Sequence, residues 1–102
     1  MPEISRFYGI IIAMYYDVKA AQYCDGYKIR VTFEDGKGGV IDFQPYLQKG
    51  GVFEKFQDIN FFKNFYINEE IGALSWKDDV DIAPETLYSA ATRSPLPKWV
   101  VD

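Results

Sequence analysis

Gly50-Gly51-Val52-Phe53-Glu54-Lys55-Phe56, running on through Asp58-Ile59-Asn60-Phe61-Phe62 to Ile71-Gly72-Ala73-Leu74-Ser75-Trp76, is the stretch whose reading decides the fold. Aromatic side chains crowd there, and the segments before and after it each show one apolar face that needs a cover. The Gly pair permits a sharp reversal. Val52-Phe53-x-x-Phe56, then Asp58 as a cap and Phe61-Phe62, predict two short helical pieces that carry apolar side chains onto a sheet. Phe65 and Ile67 resume the alternation of a strand, Asn68 to Gly72 form a turn, and Leu74 with Trp76 form the partner strand. This stretch is read as the centre of the core.

Upstream, Tyr27 to Phe33 is the cleanest alternation in the chain. Tyr27, Ile29, Val31 and Phe33 point one way while Lys28, Arg30 and Thr32 point the other, the period-2 mark of a half-solvated antiparallel strand. Val18 to Tyr23 reads as a short strand before it, with Asp25-Gly26 as the turn. Asp35-Gly36 supplies residues that tolerate positive φ in a two-residue hairpin, with Glu34 and Lys37 expected to pair across it. The return strand is Val40 to Phe43, with a bulge expected at Gly38-Gly39. Pro45, which has no amide hydrogen for a ladder, ends that strand, and Tyr46 to Lys49 make one helical turn.

Downstream, Lys77-Asp78-Asp79-Val80-Asp81 reads as a polar turn. Pro84-Glu85-Thr86-Leu87-Tyr88 opens a helix, because a missing donor and a negative charge both suit a first turn. Leu87, Ala90 and Ala91 are its expected inner stripe, and Ser94-Pro95-Leu96-Pro97 stops it. The tail carries apolar Trp99-Val100-Val101.

At the N-terminus, Phe7-Tyr8-Gly9-Ile10-Ile11-Ile12-Ala13-Met14-Tyr15-Tyr16 is too short to span a bilayer as a helix and lacks a small-x-small cleavage site. Its β-branched and aromatic content predicts a strand that is apolar on both faces, central in a sheet or covered by a second chain. Tyr8, Ile10, Ile12, Met14 and Tyr16 are the expected homodimer interface.

The fold class is therefore α+β: a small, mainly antiparallel sheet built from hairpins, two short helical pieces after the second Gly pair, and one C-terminal helix. One domain is expected over residues 1–102, comprising an N-terminal strand (1–17), an α+β body (18–92) and a tail (93–102). A chain of 102 residues can bury a core without staples. Eight Phe, eight Tyr and two Trp make 18% of it, more ring surface than a small domain readily hides. The net charge of -4 argues against a phosphate-neutralising surface, so nucleic acid is not an expected partner. Cys24 is the only cysteine, which fits a reducing cytoplasm, and it reads as a buried or half-buried small hydrophobe at a strand end.

Thr32-Phe33-Glu34-Asp35-Gly36, then Asp42, Pro45 and Leu47, then Gly51-Val52-Phe53, Asp58, Phe61-Phe62, Gly72-x-Leu74-x-Trp76, Asp81 and Pro84-Glu85-x-Leu87-Tyr88 resemble, in that order, the prokaryotic family called domain of unknown function 2442. The resemblance covers about residues 18–92 and implies a small α+β domain with no established activity and no catalytic residues to carry over. Where family members often have a Pro-x-Gly turn after the Trp, this chain has Lys77-Asp78-Asp79. Met1-Pro2-Glu3-Ile4-Ser5-Arg6-Phe7-Tyr8-Gly9-Ile10-Ile11-Ile12 resembles the opening of a second family, domain of unknown function 4160, whose His-containing continuation is missing here. The two families are often encoded side by side and toxin-antitoxin-like roles are suspected for them, which implies a regulatory, partner-binding role.

With no histidine, Ser-His-Asp and Cys-His nucleophilic arrangements and His-ligated zinc are excluded. Neither Gly36-x-Gly38-Gly39 nor Gly50-Gly51 leads into the Lys-Ser/Thr pair of a phosphate loop. Lys28, Arg30 and Lys37, interleaved with acids, read as a solvated face. Three readings remain. The first is a non-enzymatic interaction or regulatory module acting as a homodimer, with no cofactor. The second is a small-ligand domain with an aromatic cleft near Tyr46, Phe53 and Trp76. The third is a carboxylate-dependent enzyme or hard-cation binder using Asp78, Asp79, Asp81 and Glu85, or Glu69 with Glu70, although the EF-hand spacing is absent.

Overall fold

Residues 16–93 are described by the structure, a computed structural model. Alternating apolar side chains make the first sheet: β1 (Val18–Asp25), β2 (Lys28–Phe33) and β3 (Gly38–Asp42), antiparallel in that order. As the alternation requires, Ile29, Val31 and Phe33 are fully buried and Lys28 and Arg30 are exposed. The β2–β3 connection is longer than a two-residue turn. The Gly36 N–H donates to the Phe33 carbonyl at 2.9 Å and the Phe33 N–H to the Lys37 carbonyl at 2.8 Å, with Gly36 at φ +87°. This is a type I turn closed by a left-handed glycine. It sets Lys37 opposite Phe33, so the expected Glu34–Lys37 cross-strand pair does not form.

Nor do Gly38 and Gly39 bulge. Thr32↔Gly38 and Val31↔Gly39 pair in register, and the irregularities lie in β1, at Val18/Ala20 and Tyr23/Asp25. The glycines serve close approach instead, since a Cβ on Gly39 would run into the Ala91 carbonyl of the C-terminal helix. Cys24 is exposed rather than buried, because the core face of β1 is carried by Val18, with Ala21 and Tyr23 partly buried beside it.

Two 3-10 segments follow, Gln44–Gln48 with Pro45 in its first turn and Gly51–Gln57, which Gly50 and Gly51 open at positive φ. Asp58 then caps α1 (Ile59–Lys63), its carboxylate accepting from the Asn60 N–H at 3.0 Å and the Phe61 N–H at 3.4 Å. These are the two helical pieces expected from the sequence.

The second sheet is antiparallel β4 (Tyr66–Asn68), β5 (Ala73–Trp76) and β6 (Val80–Ile82). The polar turn expected through Asp81 ends at Asp79. Asp78 and Asp79 take left-handed φ of 66° and 62°, which aspartate tolerates, and Val80-Asp81-Ile82 return as a strand with Val80 and Ile82 buried. Asp78 and Asp79 thus do the turning expected of a Pro-x-Gly. All four β5 residues are buried; Ser75 Oγ has no hydrogen-bond partner among the described residues, and Ala73 stands outside the main core cluster.

Helix α2 (Pro84–Thr92) starts at Pro84 and ends before Arg93, which is left-handed. Pro84, Leu87, Tyr88 and Ala91 form its inward stripe, whereas Ala90 is exposed. The stripe is therefore rotated from the expected one, because the close approach at Gly39 draws Ala91 onto β3. The core joins both sheets and both helices through Ile29, Val31, Phe33, Phe43, Phe56, Phe62, Leu74, Trp76, Val80 and Leu87.

Tyr8, Ile10, Ile12 and Met14 of the expected interface, and Trp99-Val100-Val101 of the tail, lie outside the described residues. Tyr16 lies within them, its ring edge-on to Tyr88 at 4.4 Å.

Candidate functional site

Pro45 and the Gly50-Gly51 reversal fold the two 3-10 segments against one another, and that brings Tyr46 and Phe53 together edge to face at 5.0 Å. Beside them opens a hollow of about 570 Å³ lined by Tyr46, Lys49, Phe53, Asp81, Ile82, Ala83 and Thr86. Lys49 follows Tyr46 by one turn, which sets its ammonium 5.0 Å above the Tyr46 ring. Burial pushes the Tyr46 hydroxyl above its usual range, so it stays a neutral donor at physiological pH. Asp81 enters the wall because β6 alternates Val80 and Ile82 inward with Asp81 outward.

Trp76, expected to share this cleft, does not line it. Its side chain is 0% exposed, its indole N–H donates to the Phe62 carbonyl at 2.7 Å, and it packs on Phe56 at 4.6 Å and Phe62 at 6.0 Å. An indole whose N–H finds a backbone acceptor inside the core is satisfied there.

The candidate acids do not converge. Asp78 Oδ2 pairs with Lys55 Nζ at 3.1 Å, with both side chains about half in solvent. Glu69 and Glu70 sit exposed in the β4–β5 turn, where the Glu70 N–H donates to Asn68 Oδ1 at 3.1 Å. Among the described residues, no three acidic or cysteine side chains gather in a geometry that could hold a metal ion.

A different cluster stands where the chain enters β1, one the sequence did not single out. Val18 N–H donates to the Gly72 carbonyl at 2.9 Å and Glu34 N–H to the Asp17 carbonyl at 3.0 Å. Burial first, then the charges of Glu34 and Glu85, raise the Asp17 carboxyl above its ordinary range. Nearby, the Tyr88 hydroxyl donates to Asp35 Oδ2 at 2.5 Å, and burial, then this bond, push its pKa up to about 12. Nothing in the spacing of 17, 34, 35, 85 and 88 signals their meeting, which depends on how α2 crosses the first sheet.

The model of a family described as protein of unknown function (DUF2442) matches residues 18–93. The chain belongs to that family. No curated protein and no solved structure matches the chain. In this DUF2442 protein the matched residues take in both sheets, the aromatic hollow and every candidate acid from Glu69 to Glu85. Among the described residues of this DUF2442 protein, no helix is long and apolar enough to cross a membrane.

Proposed function

We propose that this DUF2442 protein is a small non-enzymatic interaction or regulatory module that works as a homodimer in a prokaryotic cytoplasm and serves a toxin-antitoxin-like pair. The observation that carries the reading is the distribution of side chains. Val40, Val52, Ile59, Tyr66 and Ile71 are left 36–50% exposed, while the candidate acids Glu69, Glu70, Asp78 and Asp79 sit on exposed turns without converging. Tyr66 opens β4 and Ile71 lies in the β4–β5 turn, and β4 is the edge strand of its sheet, a place where a partner strand can add. The two-sided apolar segment Tyr8 to Tyr16 supplies the self-association, and the resemblance of the first dozen residues to the second family supplies the regulatory setting.

Sedimentation equilibrium tests it. The parent chain is expected at twice the mass of the protomer and Ile11→Lys at the protomer mass; a parent that sediments as a monomer removes the dimer. A compound turned over at a rate abolished by a single Asp or Glu substitution would overturn the non-enzymatic reading.

A further inference from the structure

We infer that the hollow between the two 3-10 segments and the start of α2 binds a small zwitterion with an apolar body, of the class of free amino acids with a large apolar side chain. Its size, about 570 Å³, lies within the ~300–1,000 Å³ usual for small-molecule sites. One wall is the edge-to-face pair Tyr46 and Phe53, continued by Ile82 and Ala83, and it offers apolar and ring surface to a ligand body. The other features are two opposite charges. Lys49 is kept at the wall by the Tyr46 ring beneath its ammonium, and Asp81 is set there by the alternation of β6.

Neither charge has an ion-pair partner among the described residues, where the ion pair is Lys55 with Asp78. A ligand with a carboxylate for Lys49 and an ammonium for Asp81 answers both. A phosphate or a simple acid would meet Asp81 as a like charge, and an amine alone would meet Lys49. Thr86 and Tyr46, which also line the hollow, carry hydroxyls, groups that can donate to a carboxylate or accept from an ammonium. This inference does not rest on dimerisation, because every lining residue belongs to one protomer.

Titration calorimetry on the full chain tests it with L-phenylalanine, 3-phenylpropionate, which lacks the ammonium, and phenethylamine, which lacks the carboxylate. Phenylalanine is expected to saturate below about 10 mM and to raise the melting temperature, with each half-ligand at least about tenfold weaker. Asp81→Asn is expected to erase the preference over 3-phenylpropionate, and Lys49→Met the preference over phenethylamine. Both residues are exposed, so far-UV circular dichroism should show the parent fold in each variant. The inference is overturned if phenylalanine, leucine and tryptophan all fail to bind, if a half-ligand binds as well as phenylalanine, or if the preferences survive both substitutions.

Discussion

Trp76 shows how one side chain can be read correctly as to burial and wrongly as to role. Its ring is gripped by Phe56 and Phe62 from the helical segments, and its only polar atom is spent on the Phe62 carbonyl. Trp76→Phe leaves that carbonyl unpaired in the core and a gap beside it. A loss of about 2–4 kcal/mol is expected in urea denaturation, and a loss below about 0.5 kcal/mol would contradict this account.

Asp17 carries a pH dependence. Its folded-state pKa is raised above the ordinary 3.8, mainly by burial and then by Glu34 and Glu85, so the folded chain holds the proton more tightly than the unfolded one. Its contribution is therefore fully present below 3.8, is lost as pH rises through the raised value, and leaves a charged, half-buried group above it. Asp17→Asn removes that charge. The variant is expected to melt higher than the parent at about pH 7 and to match it at about pH 2.5; equal melting at both would refute the assignment.

At the scale of elements, the hairpins follow from alternation and turn chemistry, whereas helix placement follows from a glycine. Gly39 lies in register opposite Val31, and its missing side chain leaves the space into which the Ala91 carbonyl settles. Gly39→Ala should push α2 off β3. A stability loss of at least about 1 kcal/mol is expected, with chemical-shift changes running from Ala91 back to Leu87; a neutral substitution would mean that the helix does not bear on β3 there. The same contact explains why Ala90 faces solvent, although Leu87, Ala90 and Ala91 have a helical spacing that reads as one stripe. β6 escaped notice for a related reason. Three residues containing an Asp are too few for periodicity to distinguish from a turn, and only pairing with Leu74, Ser75 and Trp76 makes them a strand.

Across the whole molecule, one core serves two sheets. Phe33 and Val31 come from the first, Leu74, Trp76 and Val80 from the second, and Phe56 and Phe62 from the helical segments between them. Neither three-stranded sheet covers its own apolar face, so neither is expected to persist alone. Unfolding should be a single transition. Far-UV circular dichroism and Trp76 fluorescence in a Trp99→Phe background should give coincident urea midpoints, and two separated steps would show the sheets to be independent.

Some properties could be decided along the chain itself. Pleat, turn and cap are local: the alternation of Tyr27 to Phe33, the reversal at Gly50-Gly51 and the capping by Asp58 each depend on residues within a few positions of one another. The sequence by itself therefore determined the hairpins of the first sheet and the β4–β5 hairpin, the helical pieces, the α+β class and the family, but not the return of β6. Which rings line a surface and which are sealed, which face α2 turns inward, and which charges line the hollow were decided only by the tertiary structure. Those outcomes depend on side chains tens of residues apart coming into van der Waals and hydrogen-bonding range, as Tyr88 reaches Asp35 and Lys49 comes to share a wall with Asp81.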